Sequence, residues 1–444
     1  MTRCSNAERI GKFLAEAPTR DIPPEVFHAA KRCLLDWTGV ALAGSGEPVS
    51  EIAAKFTRID PRSVPVFSQE IDTGDAAFMN GVAAHALDFD DTHIPTDSHL
   101  SAVIWAALLV TADPKRHSGD MLLRAFVAGY EAAAKLSGRR FGFSLQFRWF
   151  HPTSVIGRLA SSAAVAVLMR LDQEHAAQAV ALSTTRAAGL GGTLGGMGKP
   201  LQVGEAARDG IVCARLAKAG AIIDPGVLSP DGGFIRAYVQ DGTAALASLD
   251  GDTLGSDWAV LKTSFKPYAC LHGIHPSIDA AMDLAGRIDV REATAVHTYV
   301  APGVKKIAAF DNPTTPLEAK FSIPFCVAAA LCGRQMSAAD FSHEAINEED
   351  IRRLRQQVMV IAEDGRKMLD SAIEITLTDG VVRRGESKLS KGHPGNPMSW
   401  QELVEKFEML AFPRLGAETT MLPQIVEEFD TDDGFLRWRA VLAP

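Results

Sequence analysis

Between Asn80 and His99 the chain reads NGVAAHALDFDDTHIPTDSH, which places His85, Asp88, Asp90, Asp91, His93, Asp97 and His99 within twenty residues. Imidazoles and carboxylates are the groups that exchange protons near neutral pH. The flanking stretches DAAFMNGVAAHAL and LSAVIWAALLVTAD are rich in small apolar residues and have the texture of core helices. A loop between two such helices needs a few polar residues, not seven titratable ones. The stretch is therefore expected to be a catalytic edge carried by a rigid helical support. His85 and Asp88 are three apart and share one helical face. Taken singly, the residues have ordinary roles too: Asp90 or Asp91 could cap the next turn, and His93 could be a solvated loop residue.

Other stretches could bring chemistry to this edge. DFDD is close to the DDxxD element that holds magnesium in helical prenyl-diphosphate enzymes. Its spacing differs, however, and no second acidic motif accompanies it, so no metal is expected. GLGGTLGGMGKP, residues 189–200, fails as a phosphate-binding loop: Thr193 stands where the first glycine belongs, and Pro200 replaces the Ser/Thr. It is better understood as a close-packed turn that delivers Lys199 to the start of the next helix, where backbone N–H groups would help it hold a carboxylate. The plain alternative is a surface lysine. His151 opens a helix in RWFHPTSVIG. FKPYACLHGIHPSIDA then supplies Lys266, Tyr268, Cys270, His272 and His275 at a change of texture, a favoured place for a ligand cleft. Cys270 has no nucleophile motif around it and is expected to be a buried thiol.

The elements that must position these groups fall into two textures. Up to about residue 260 the pattern is helical: a run with prolines first and glycine last at PPEVFHAAKRCLLDWTGVALAG, a Leu122, Phe126, Tyr130 and Ala134 stripe, and Ala/Gly/Ser-rich segments suited to close helix packing. Beyond it, AVLKTSF, TAVHTYVAP, QQVMVIAED and SAIEITLTDGVVRRGES alternate like strands, the last with a hairpin turn at Asp379-Gly380. Helices are expected between them at Pro316 to Leu331 and Glu348 to Arg355. SWQELVEKFEMLA is helical again. The expected fold is mainly α: residues 1–265 and 399–444 form a large all-helical domain, with residues 266–398 inserted as a smaller α+β lid.

The 444 residues carry 45 Lys and Arg against 54 Asp and Glu, a net charge of −9, which argues against a nucleic-acid partner. Six scattered cysteines, Cys4 among them, have no metal or redox spacing and suit reduced thiols. There is no secretory leader and no uninterrupted span of membrane length, so a cytoplasmic location is expected. Asp, His and Lys without any cofactor fingerprint suggest proton abstraction beside a carboxylate, with lysines holding substrate carboxylates and developing charge.

The stretches NGVAAHALDFDDTH, FHPTSVIG, GKPLQVGEAARDGI, KPYACLHGIHPSIDA, PLEAKFSIPFCVAAAL and GHPGNPMSWQELVEKF, in this order, resemble the MmgE/PrpD family over nearly the whole chain. That family includes 2-methylcitrate dehydratases, cis-aconitate decarboxylases and iminodisuccinate epimerase. The resemblance implies a helical domain with an α+β lid, a homodimer, a di- or tricarboxylate substrate and no organic cofactor. It implies a site built from Asp88, Thr92, His99, His151, Lys199 and Lys266, with His275 and Tyr268 as further substrate-binding residues. His99 or His151 would move the proton, oriented by Asp88. Decarboxylase-like members carry tyrosine where this chain has Phe325, which argues against a decarboxylation that needs that hydroxyl. A hydro-lyase acting on a 2-methylcitrate-like acid is the first expectation; an epimerase, a carboxy-lyase and a non-catalytic carboxylate binder are the alternatives.

Overall fold

The computed structural model describes residues 5–67, 72–249 and 253–442. At the centre of the helical region lies Pro152–Leu168, every residue of which is buried. Gly119–Phe147, Gly198–Lys218, Leu100–Thr111 and Gln173–Thr184 pack around it. The small residues serve close approach. A Cβ on Gly81 would stand 2.8 Å from the Cα of Gly204, so Thr73–Ala86 and Gly198–Lys218 cross almost backbone to backbone. That crossing brings His85, near the end of the first helix, to Lys199, at the start of the second.

A four-stranded sheet follows in the order Val358–Ala362, Ala293–Val300, Ser371–Leu377, Val382–Ser387. The first pair is parallel, with Val296 opposite Val358; the others are antiparallel, with Val296 opposite Ile375 and Ile373 opposite Gly385. Val296, Ile373 and Ile375 are fully buried in a core shared with helices His275–Ala285 and Ile323–Leu331. Four residues of the helical region, Val40, Leu87, Phe89 and Leu410, join that core. Helix Trp400–Leu415 returns to pack along Pro24–Gly44, where a Cβ on Gly39 would lie 3.1 Å from the Phe407 ring.

Two local expectations are corrected. AVLKTSF is a 3₁₀ turn, Ala259–Lys262, followed by a two-residue strand, Thr263–Ser264. That strand pairs with Thr92–His93, a partner too short to show as alternation. The run from Pro316 is two helices, Pro316–Ala319 and Ile323–Leu331, because Ser322 caps the second and breaks the first. The helix that carries the Leu122 to Ala134 stripe runs from Gly119 to Phe147, on past the stripe across a kink at Gly138, whose φ is +59°. Among the described residues no helix is long and apolar enough to cross a membrane. Cys33, Cys213, Cys270 and Cys326 are buried free thiols and Cys332 is half-buried; Cys4 lies outside the described residues.

Candidate active site

Thr73–Ala86 ends just before a turn made by Asp88 in the left-handed region, with φ +52°. A non-glycine residue rests there only when its surroundings over-determine it. Here three buried ammonium groups from distant parts of the chain each hold one carbonyl in succession. Lys320 Nζ donates to Leu87 O at 2.5 Å, Lys266 Nζ to Asp88 O at 2.9 Å, and Lys406 Nζ to Phe89 O at 2.7 Å. Lys406 also meets the buried Asp36 carboxylate at 2.6 Å. Beyond the turn, Thr92 and His93 pair with Ser264 and Thr263, which ties the acidic loop to the segment that carries Lys266. His93 is a structural member of the turn. It bonds Thr96 at 2.7 Å and packs edge-on against Tyr130, and burial lowers its pKa to about 3.

One cavity of about 80 Å³ gathers Asp88, Thr92, His99, His151, Lys199 and Lys266, with Asp97 and His272 beside them. A space this small takes a small molecule. Its other walls are mostly apolar and include Phe143, Leu194, Val304, Phe321 and Met368, with Gln146 and Thr153 among them. The site residues proposed from sequence thus meet, with two exceptions. Tyr268 turns away and donates its hydroxyl to Asp279 at 2.6 Å. His275 stacks between Tyr268 and His272, with Nε2 3.3 Å from Cys270 O. His272 takes the cavity position instead and bonds Ser264 at 3.1 Å. Phe325 packs on Phe341 within the core beneath the four-stranded sheet and does not line the cavity, so its missing hydroxyl leaves no gap in the cavity wall.

The charges are closely balanced. Lys199 and Lys266 share one oxygen of Asp88, at 3.0 and 2.8 Å. Burial alone would raise the Asp88 carboxyl, but Lys199 and then Lys266 outweigh it and hold the group well below the usual range. Burial lowers the Lys199 ammonium, against the pull of Asp88. Lys199 also donates to His85 Nε2 at 2.7 Å. An ammonium has only protons to offer, so His85 carries its own proton on Nδ1 and donates it to Asp90 at 2.8 Å. Burial brings His85 down to about 4, so it is neutral at pH 7. The same Asp90 oxygen lies 3.2 Å from His99 Nδ1. The carboxylate behind His99 is therefore that of Asp90, not of Asp88 as expected. The left-handed turn aims Asp88 at the lysines and leaves Asp90 to the imidazoles. His85 and His99 stand edge to face with centroids 4.7 Å apart, and His151 lies 5.7 Å from His85. Burial, reinforced by Lys199, keeps His151 far below its usual pKa.

His85, Asp90 and His99 have ligand atoms within 4.8 Å of one another, close enough to suggest a metal. The donor set does not fit one. The Asp90 oxygen already accepts from His85, and the other His85 nitrogen accepts from an ammonium. His85 and Asp90 form a hydrogen-bonded pair, with His99 at ion-pair distance from the same carboxylate. Asp88 Oδ2, Thr92 Oγ1 and His151 Nδ1 are buried without a protein partner, and each could meet a polar ligand. His85, Asp90, Asp97 and His272 were not among the site residues expected. For His85 and Asp90 the signal was present in the density of the 80–99 stretch.

The profile of the MmgE/PrpD N-terminal domain matches residues 8–247, and that of the C-terminal domain matches residues 268–431. The chain belongs to the MmgE/PrpD family. This MmgE/PrpD chain is 28% identical to human (Homo sapiens) cis-aconitate decarboxylase over 418 residues, covering 89% of this chain and 85% of the relative. It is 27% identical to the Mus musculus enzyme of the same name, over 94% and 90% of the two chains. The Aspergillus terreus enzyme is 25% identical, over 88% and 86%.

Proposed function

We propose that this chain is a lyase for a small tricarboxylate, and that removal of a carboxyl group from an unsaturated acid of the cis-aconitate kind is its first candidate reaction. The observation that carries the proposal is two lysines facing one cavity carboxylate, next to an imidazole with a carboxylate behind it. Lys199 and Lys266 stand together on one side of the cavity and give that side a local attraction for anions. They hold substrate carboxylates and the negative charge that develops on the neighbouring carbon. His99, with Asp90 at Nδ1, presents Nε2 to that carbon and moves the proton. Loss of carbon dioxide leaves an electron pair on the substrate, and one proton must be delivered to close the reaction. The names of the relatives support decarboxylation over the elimination of water expected from sequence. The same residues serve either, since both pass through charge beside a carboxylate. On this reading the working unit is a dimer, the lid region is residues 266–398, and the location is the cytoplasm.

The test is a panel of unsaturated and hydroxylated di- and tricarboxylates incubated with the purified protein in D₂O and followed by proton NMR. The expected result is carbon dioxide release from an unsaturated tricarboxylate with one deuterium in the product. Release of an unsaturated acid from a hydroxy acid would move the reaction to a hydro-lyase, and exchange without net change would move it to an epimerase. Inertness across the panel would overturn the lyase reading.

A further inference from the structure

Asp97 is the cavity residue to which the chemistry above gives no task. It follows the short turn Ile94–Thr96 and, like Asp88, sits in the left-handed region, with φ +51°. The turn is seated tightly: a Cβ on Gly142 would fall 2.1 Å from Thr96 O. Asp97 is thereby fixed at the cavity wall, partly exposed, where Asp88, His99, His151, Lys199, Lys266 and His272 are the other ionisable groups. Its neighbours in the turn are satisfied internally: Thr96 bonds His93 and Ser98. The Asp97 backbone N–H reaches Ile94 O at 3.2 Å, while its carboxyl makes no hydrogen bond or ion pair among the described residues. The lysine charges that could pair with it are spent on Asp88.

We propose that Asp97 is a specificity residue that receives one carboxylate of the substrate as a neutral acid, so that the two carboxyl groups share a proton. The inference rests on the polycarboxylate reading of the site. Two carboxyl groups brought together cannot both stay ionised at low cost, so one keeps a proton. Asp97 is already disposed to be that one. Burial raises it to about 6, against the opposing pull of His99, Lys199 and Lys266. A bound trianion raises it further. Binding a polycarboxylate then takes up a proton, and affinity falls as pH rises above about 6. Asp97 would thereby set which acids are accepted. An acid with a carboxylate at this position gains the shared proton, and one with a methyl or hydroxyl group there does not.

The experiment is calorimetric titration of the whole protein with tricarballylate, a saturated tricarboxylate that needs no turnover, in buffers of different ionisation enthalpy between pH 6 and 8. The wild type should lose about 50-fold in affinity across that range and take up protons on binding. Asp97→Asn retains a donor and tolerates the left-handed backbone. It should bind with at least tenfold less change across the range and with less proton uptake. Asp97→Asn leaves every other ionisable group of the cavity in place. Asp97→Glu should restore the pH dependence. Equal pH dependence in wild type and Asp97→Asn, or no binding by the wild type at pH 6, would overturn the proposal. Proton-linked binding without turnover of the panel would overturn the lyase reading alone. Turnover with pH-independent binding would overturn the role of Asp97 alone.

Discussion

Replacing Asp90 with asparagine tests the site at its least obvious joint. The side chain is almost fully buried, and its Oδ2 serves two imidazoles, at 2.8 Å to His85 and 3.2 Å to His99. Burial alone would raise Asp90, but His85 and His99 keep it well below the usual carboxylate range, so it is an anion throughout neutral pH. Asparagine keeps the shape and an acceptor oxygen but removes the charge. A hydrogen bond to a charged group is worth roughly 1.5–3 kcal/mol, against about 1 for a neutral one. If only the His99 contact affects the rate, the loss is the difference, about 0.5–2 kcal/mol, or roughly 2- to 30-fold in kcat/KM. The sign of the pH effect is also determined. An anion beside an imidazole favours the protonated ring, the form that delivers a proton, so its removal shifts the alkaline limb of the rate profile to lower pH. Steady-state kinetics from pH 5 to 9, on whichever acid the panel identifies, measures both. A variant with wild-type kcat/KM and an unmoved alkaline limb would refute the assignment of Asp90 as the partner of His99.

Other perturbations have equally definite outcomes. Lys406→Met leaves Asp36 as an unpaired buried charge and Phe89 O without its donor, so a loss of about 3–5 kcal/mol is expected in urea denaturation. The double variant Asp36→Asn, Lys406→Met should recover part of it, and additive losses would contradict the pairing. Gly142→Ala drives a methyl into the backbone at Thr96 and should cost about 1–3 kcal/mol, together with weakened binding of tricarboxylates, measured by denaturation and calorimetry. His85, fully buried, is lowered from 6.5 to about 4, so the unfolded chain binds the proton more readily. Its contribution is present at pH 7 and is lost as pH falls from about 6.5 towards 4, by roughly 3 kcal/mol in all. His85→Gln should flatten that part of the stability curve, and an unchanged slope would contradict the shift.

Much of this was visible in the residues, and the failures have local causes. Helix texture and the hairpin at Asp379-Gly380 were legible because apolar spacing and turn chemistry act over short range. The convergence of Lys199, Lys266, His99 and His151 followed from family motifs, not from spacing. The carboxylate beside His99 is Asp90 where the motif suggests Asp88, because the chain reverses its direction at a residue with positive φ and no alternation records that. The sequence points to His275, but the 3₁₀ turn His272–Ile274 carries His272 into the cavity and directs His275 to Cys270 O. Lys320 drew no notice in the sequence. Its role depends on a helix break at Ser322 and on a carbonyl 233 residues away.

The three ammonium groups that hold the Leu87–Phe89 carbonyls also set a timetable. They lie 233, 178 and 317 residues downstream of the peptide groups they bind. A ribosome that has made the acidic loop and the helices up to Lys218 has not yet made any of these lysines. The turn at Asp88 gains its clamps in chain order, Lys266 first, Lys320 next and Lys406 last. The growing protein therefore holds its acids and imidazoles early and the clamps of the turn that arranges them late.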